Sequence, residues 1–178
     1  MSACGASAPP PFRSANSSAT PKPAASADAA DQVAIYEAVV RRVCQADDTA
    51  GGQLRKPNVY IVGRTDDTAG DPTLPASETA TIPPSVRERI TARLADLPSK
   101  IVWVESDEDV ARNSRTGMVA DSGVIVKVGN IRALDDDTVR VAASLYFANL
   151  GAGGRTYMLK RVDGTWTIIG TTGTEWIS

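Results

Sequence analysis

Residues 137–176 constrain this chain most, because their pattern suits a sheet and little else. Val139, Val141, Ala143, Leu145 and Phe147 alternate with Thr138, Arg140, Ala142, Ser144, Tyr146 and Ala148. A period of two places the apolar set on one face of a strand. Leu150-Gly151-Ala152-Gly153-Gly154 is expected to reverse the chain, since glycine accepts positive φ without steric cost. A second strand over 155–162 then meets Asp163-Gly164, a strong signal for a tight hairpin. Pairing outward from that turn sets Arg161 opposite Trp166, Leu159 opposite Ile168 and Tyr157 opposite Gly170. Tyr157, Leu159, Trp166 and Ile168 then point into a core, and Arg161 lays its stem over the indole at the rim.

Upstream, residues 31–46 read as an amphipathic helix. Val33, Tyr36, Val40 and Val43 recur at helical spacing, widened by Ile35, Val39 and Cys44. Asp28 or Asp31 is placed to cap its start. Cys44 on the apolar face reads as a small buried hydrophobe. A short strand over 58–64 follows, then a long loop over 65–84. Ser85 and Glu88 form a capping-box pattern for a second helix over 85–97. Its buried stripe is Val86, Ile90 and Leu94, with Arg87, Glu88, Arg89 and Arg93 facing solvent and Pro98 as the stop. Strands are expected over 100–105 and 123–131. Between them, Ser106 caps a short helix whose first turn is Asp107-Glu108-Asp109. Asp135-Asp136-Asp137 turns the last of these strands into the closing meander. The fold class expected from this order is α+β: helices packed on one face of a mainly antiparallel sheet ending in a C-terminal β-meander.

Composition mainly excludes. The chain has no histidine, which removes Ser-His, Cys-His and His-metal chemistry together. Its net charge is −2 and it carries no basic stripe, so a nucleic-acid partner is not expected. No run of 18 apolar residues is present in the sequence, the length a spanning helix needs. The string Asp-Asp-Thr-Ala-Gly occurs at 47–51 and again at 66–70. A calcium loop alternates its oxygen ligands, whereas these carboxylates are adjacent and then stop, so both copies read as turns and no metal is expected. Strands flank Gly151–Gly154 on both sides, unlike the strand-to-helix setting of a phosphate cradle, and no cofactor is expected. No catalytic residue is assigned.

Residues 1–30 are rich in Ala, Ser and Pro, with Phe12 the one large apolar side chain. Such a segment buries too little to offset its ordering entropy and reads as a disordered tether, leaving residues 31–178 as a single domain. Met1-Ser2-Ala3-Cys4-Gly5 resembles the end of a bacterial lipoprotein signal peptide, where small residues precede a cysteine that is acylated after cleavage. The resemblance implies lipidation at Cys4, a cell-envelope location and contact with a membrane only through that N-terminal anchor. The charged start and apolar core of a signal peptide do not precede it here, so either a longer precursor exists, or the match is accidental and the chain is cytoplasmic. The order of elements looks loosely like cystatin-like and nuclear-transport-factor-like cone folds, an architectural analogy that carries no activity. Leu145 to Tyr157, with Asp163-Gly164-Thr165-Trp166, resembles an uncharacterised bacterial α+β family with a glycine-rich closing hairpin. That resemblance covers about the last 55 residues and implies a fold without a reaction.

Two functional readings follow. One is a non-catalytic envelope domain that binds a protein or small ligand through its loops; an inhibitor or immunity-type protein differs from it only by partner. The alternative is a carboxylate-dependent hydrolase of an anionic substrate, with Glu105 and Asp107 as acids and Arg155 on the anion. It needs two carboxyls in one cleft, one of them with a raised pKa.

Overall fold

The computed structural model describes residues 28–46 and 56–178; Cys4, the 1–27 segment and the first Asp-Asp-Thr-Ala-Gly string lie outside them. Helix α1 (Ala29–Ala46) precedes β1 (Asn58–Val62), α2 (Pro84–Arg93), β2 (Lys100–Val104), β3 (Val124–Val128), β4 (Arg132–Ala133), β5 (Thr138–Ala148), β6 (Gly151–Val162) and β7 (Thr165–Ile177). The strands form one seven-stranded sheet in the order β2-β1-β3-β5-β6-β7, with β4 paired to β5. The α+β class stands, but the sheet is mixed. β1 runs parallel to both β2 and β3, while the pairings from β3 to β7 are antiparallel. The physical reason is two crossovers, one through α2 and one through residues 105–123, each of which returns the chain to the end of the sheet from which β1 started. Parallel strands are covered on both faces, and β1 accordingly reads Val59-Tyr60-Ile61-Val62 without alternation.

Both helices bury against one face of the sheet. Val33, Ile35, Val39, Val40 and Val43 of α1 meet Val86 and Ile90 of α2 and Val59, Val126, Val141, Leu145, Tyr157 and Leu159 of the strands in one continuous core. Cys44 is buried there too. Asp28 caps α1, its carboxylate accepting from the Ala30 and Asp31 amides at 2.8 Å. Asp31 is used elsewhere: it accepts from Trp166 Nε1 at 3.0 Å and pairs with Arg161. For α2 the Ser85–Glu88 capping box does not form. The N-cap is Pro83 and no side chain caps the end; Pro84 at the first helical position has no N–H to satisfy and its φ is already helical. The turn after β2 is a 3₁₀ turn, Asp107–Asp109, closed by a Ser106–Asp109 capping box.

The closing hairpin keeps its expected face. Arg161 pairs with Trp166 and Leu159 with Ile168, and the Arg161 guanidinium lies 4.8 Å from the Trp166 ring centroid. Tyr157 pairs with Thr171 rather than Gly170, because the register shifts between Met158 and Leu159. Asp163 and Gly164 take φ of 49° and 76°, as a type I′ turn requires. The glycine-rich run is not the expected turn. Chain reversal falls at Asn149 and Leu150, and Gly151–Gly154 belong to β6, with no positive φ among them. Glycine is needed at 154 for closeness, not conformation: a Cβ there would stand 2.0 Å from the Ala69 carbonyl oxygen and 2.5 Å from Trp176 Nε1. Gly154→Ala is therefore expected to destabilise by about 1–3 kcal/mol through overpacking, measured in urea melts; an unchanged midpoint would show that the 65–80 loop yields at no cost.

Candidate functional site

The face of the sheet opposite the helices divides in two. Toward β1 and β3, residues 105–123 cover Val62 and Ile125 with Val110 and Val119. Toward β5, β6 and β7, the 65–80 loop touches the sheet at Ala69 and Gly70, close against Gly154, Ala142 and Thr156, and beside that contact leaves a groove of about 880 Å³, a volume within the range of small-molecule sites.

Three sets of side-chain hydrogen bonds hold that loop in place, beside a backbone bond from the Asp66 amide to the Val128 carbonyl at 2.9 Å. Trp176 Nε1 donates to the Ala69 carbonyl at 3.0 Å. Thr65 Oγ1 accepts from the Ala80 amide at 2.7 Å and donates to Asn130 Oδ1 at 2.8 Å. The third attachment is Asp67, whose carboxylate accepts from the Asn130 amide at 2.6 Å, Ser77 Oγ at 2.9 Å and Arg132 at 2.8 Å. Gly129 makes this possible, since a Cβ there would come within 2.6 Å of the Asp67 carboxylate. These donors hold the Asp67 carboxyl below the usual range although burial, the largest single influence on it, pushes the other way. Beneath it, the Tyr36 hydroxyl of α1 donates to the Gly129 carbonyl at 3.3 Å, and burial with the nearby Asp67 charge raises its pKa. Asp71 also lines the groove; it accepts from the Thr73 hydroxyl and amide and is lowered as well.

The groove floor comes from strand register. Arg132 of β4 is the direct partner of Arg140 of β5, and Ala142, Thr156 and Thr172 form the next row across β5, β6 and β7. Leu74 and Leu134 are about half exposed along its walls.

The three residues of the hydrolase reading do not converge. Glu105 pairs with Arg87 at 2.6 Å. Contrary to a solvent-facing role, Arg87 is largely buried, donates to the Ile82 and Gly63 carbonyls and packs against Trp103. Asp107 is held by Arg112 at 2.8 Å and Lys127 at 3.2 Å. Arg155 sits in β6, 3.9 Å from Glu175. Four strand steps separate β2, which Glu105 follows, from β6, roughly 19 Å across a sheet. The Glu105 carboxyl is lowered by its Arg87 partner; Asp107 is also lowered, its cations and hydrogen bonds overriding the upward pull of burial.

Sequence reasoning gave Asp67 no role beyond a turn and passed over Asn130, Arg132 and Arg140. The available signal was two arginines facing one another across a short hairpin around Asp135-Asp136-Asp137, visible only once β4 is known to pair with β5. Among the described residues no cluster of three metal-binding side chains occurs, and no helix is long and apolar enough to cross a membrane. The chain matches no protein-family model, no curated protein and no solved structure.

Proposed function

We propose that this chain is a non-catalytic binding domain of the cell envelope, anchored through an acylated Cys4, that receives a small ligand in the groove between the 65–80 loop and the sheet. The observation that carries the reading is the built wall of that groove: Asp67, Asn130, Thr65 and Trp176 fasten a long loop against the sheet beside the groove. Ordering such a loop costs conformational entropy, and a long loop fixed along the edge of a polar groove is a common way to present a binding site.

A carboxylate-dependent hydrolase is the alternative. Asp67 and Asp71 share the groove, but both are lowered, which suits hydrogen-bond acceptors better than a proton-holding acid. Two measurements test the proposal. Amide chemical shifts recorded against a fragment library should move together at Leu134, Thr156 and Thr172; scattered shifts, or turnover of a compound, would overturn the binding reading. In a bacterial host, Cys4→Ser should move the protein from the membrane to the soluble fraction, and an unchanged distribution would remove the anchor.

A further inference from the structure

We infer that the groove takes a small monocarboxylate with an apolar body, its carboxylate held by Arg140 beside Arg132; this rests on the binding reading above. Arg132 and Arg140 occupy directly opposed positions of an antiparallel pair, so their side chains leave the sheet on the same side, about 5 Å apart at Cβ. Like charges in that position repel. Arg132 is compensated by Asp67. Arg140 is exposed and has no carboxylate partner among the described residues.

The other charged groups of the groove do not change this balance. Asp67 spends its lone pairs on Asn130, Ser77 and Arg132, and Asp71 is engaged by Thr73 at Oδ1 and by the Thr174 side chain. What remains open is therefore a planar fork of N–H donors, the shape that grips a carboxylate with two parallel hydrogen bonds. Leu74 and Leu134 line the same groove half exposed. They offer apolar surface to the remainder of a ligand, and the occupant is then an amphipathic acid and not a bare anion.

Calorimetric titration of the full chain tests this with three probes: octanoate, 1-octanol and inorganic phosphate. Octanoate should bind saturably at one site, at least tenfold more tightly than either of the others. Arg140→Gln should weaken octanoate at least tenfold, while Arg140→Lys restores part of the loss. Ligand-free Arg140→Gln should melt at the same temperature as the parent or slightly higher, because a repulsion is removed; this separates lost binding from lost folding. Equal binding of octanoate and octanol, with shifts in the groove, overturns the carboxylate assignment and leaves the binding domain standing. Phosphate binding as tightly as octanoate overturns the apolar half of the assignment. Absence of octanoate binding overturns the inference outright, while the domain's binding role is then decided by the fragment library.

Discussion

Trp166→Ala should lower the unfolding free energy by about 3–5 kcal/mol, the range for large aromatics removed from cores. Trp166 is 7% exposed and packs into the main core. Its indole N–H donates to Asp31 at 3.0 Å, its face receives the Arg161 guanidinium, and Arg161 itself pairs with Asp31. One side chain thus fastens the first turn of α1 to the β6–β7 hairpin, which are 135 residues apart in sequence. The truncation opens a cavity and also leaves the Asp31 carboxylate short of a donor. Trp166→Phe keeps most of the volume and should cost only about 1 kcal/mol more than the change in packing, the worth of a typical hydrogen bond. A loss below 1 kcal/mol for the alanine variant in urea melts would mean that this face of the hairpin is not buried.

Asp67→Ala is expected to cost about 2–4 kcal/mol, because a partly buried acceptor disappears while its donors remain. The Asn130 amide, Ser77 and Arg132 would all lose a partner at once. The 65–80 loop should loosen, seen as faster amide exchange at Asn130; unaltered exchange would show that the loop is held without Asp67. The same contact gives a pH dependence. The folded carboxyl titrates below its unfolded value, which is about 3.9. The stability it contributes is therefore complete above that value and is lost as pH falls through the folded pKa. Asp107 carries the same sign. Melts should be nearly flat from pH 7 to about 5 and decline steeply below about 4, and Asp67→Ala should flatten part of that decline.

The elements were legible where periodicity is local. Val33, Tyr36, Val40 and Val43 announce one buried helix face, and Val86, Ile90 and Leu94 another; all seven are buried. The alternation over 138–148 announces β5, and Asp163-Gly164 the hairpin. The glycine run misled because glycine serves two purposes, positive φ and close approach, which composition does not separate; at Gly154 the second applies. The parallel pairing was written in the unbroken apolar runs Val59–Val62, Ile101–Val104 and Val124–Val126, which resemble buried strands of either orientation. The candidate site was the least legible part. Asp67, Asn130, Arg132 and Arg140 are brought together from a loop and two strands, and their identities signal nothing at those spacings.

The amino-acid order alone determined which stretches become strands and helices and which face of each is apolar, because side-chain alternation and 3.6-residue spacing act between near neighbours. Only the tertiary structure decided that β1 lies parallel between β2 and β3, that a tryptophan closes on Asp31, and that two arginines stand side by side under a pinned loop. Those outcomes depend on how strands register across the sheet and on which distant groups satisfy buried donors and acceptors, and such pairings are chosen by packing of the whole chain.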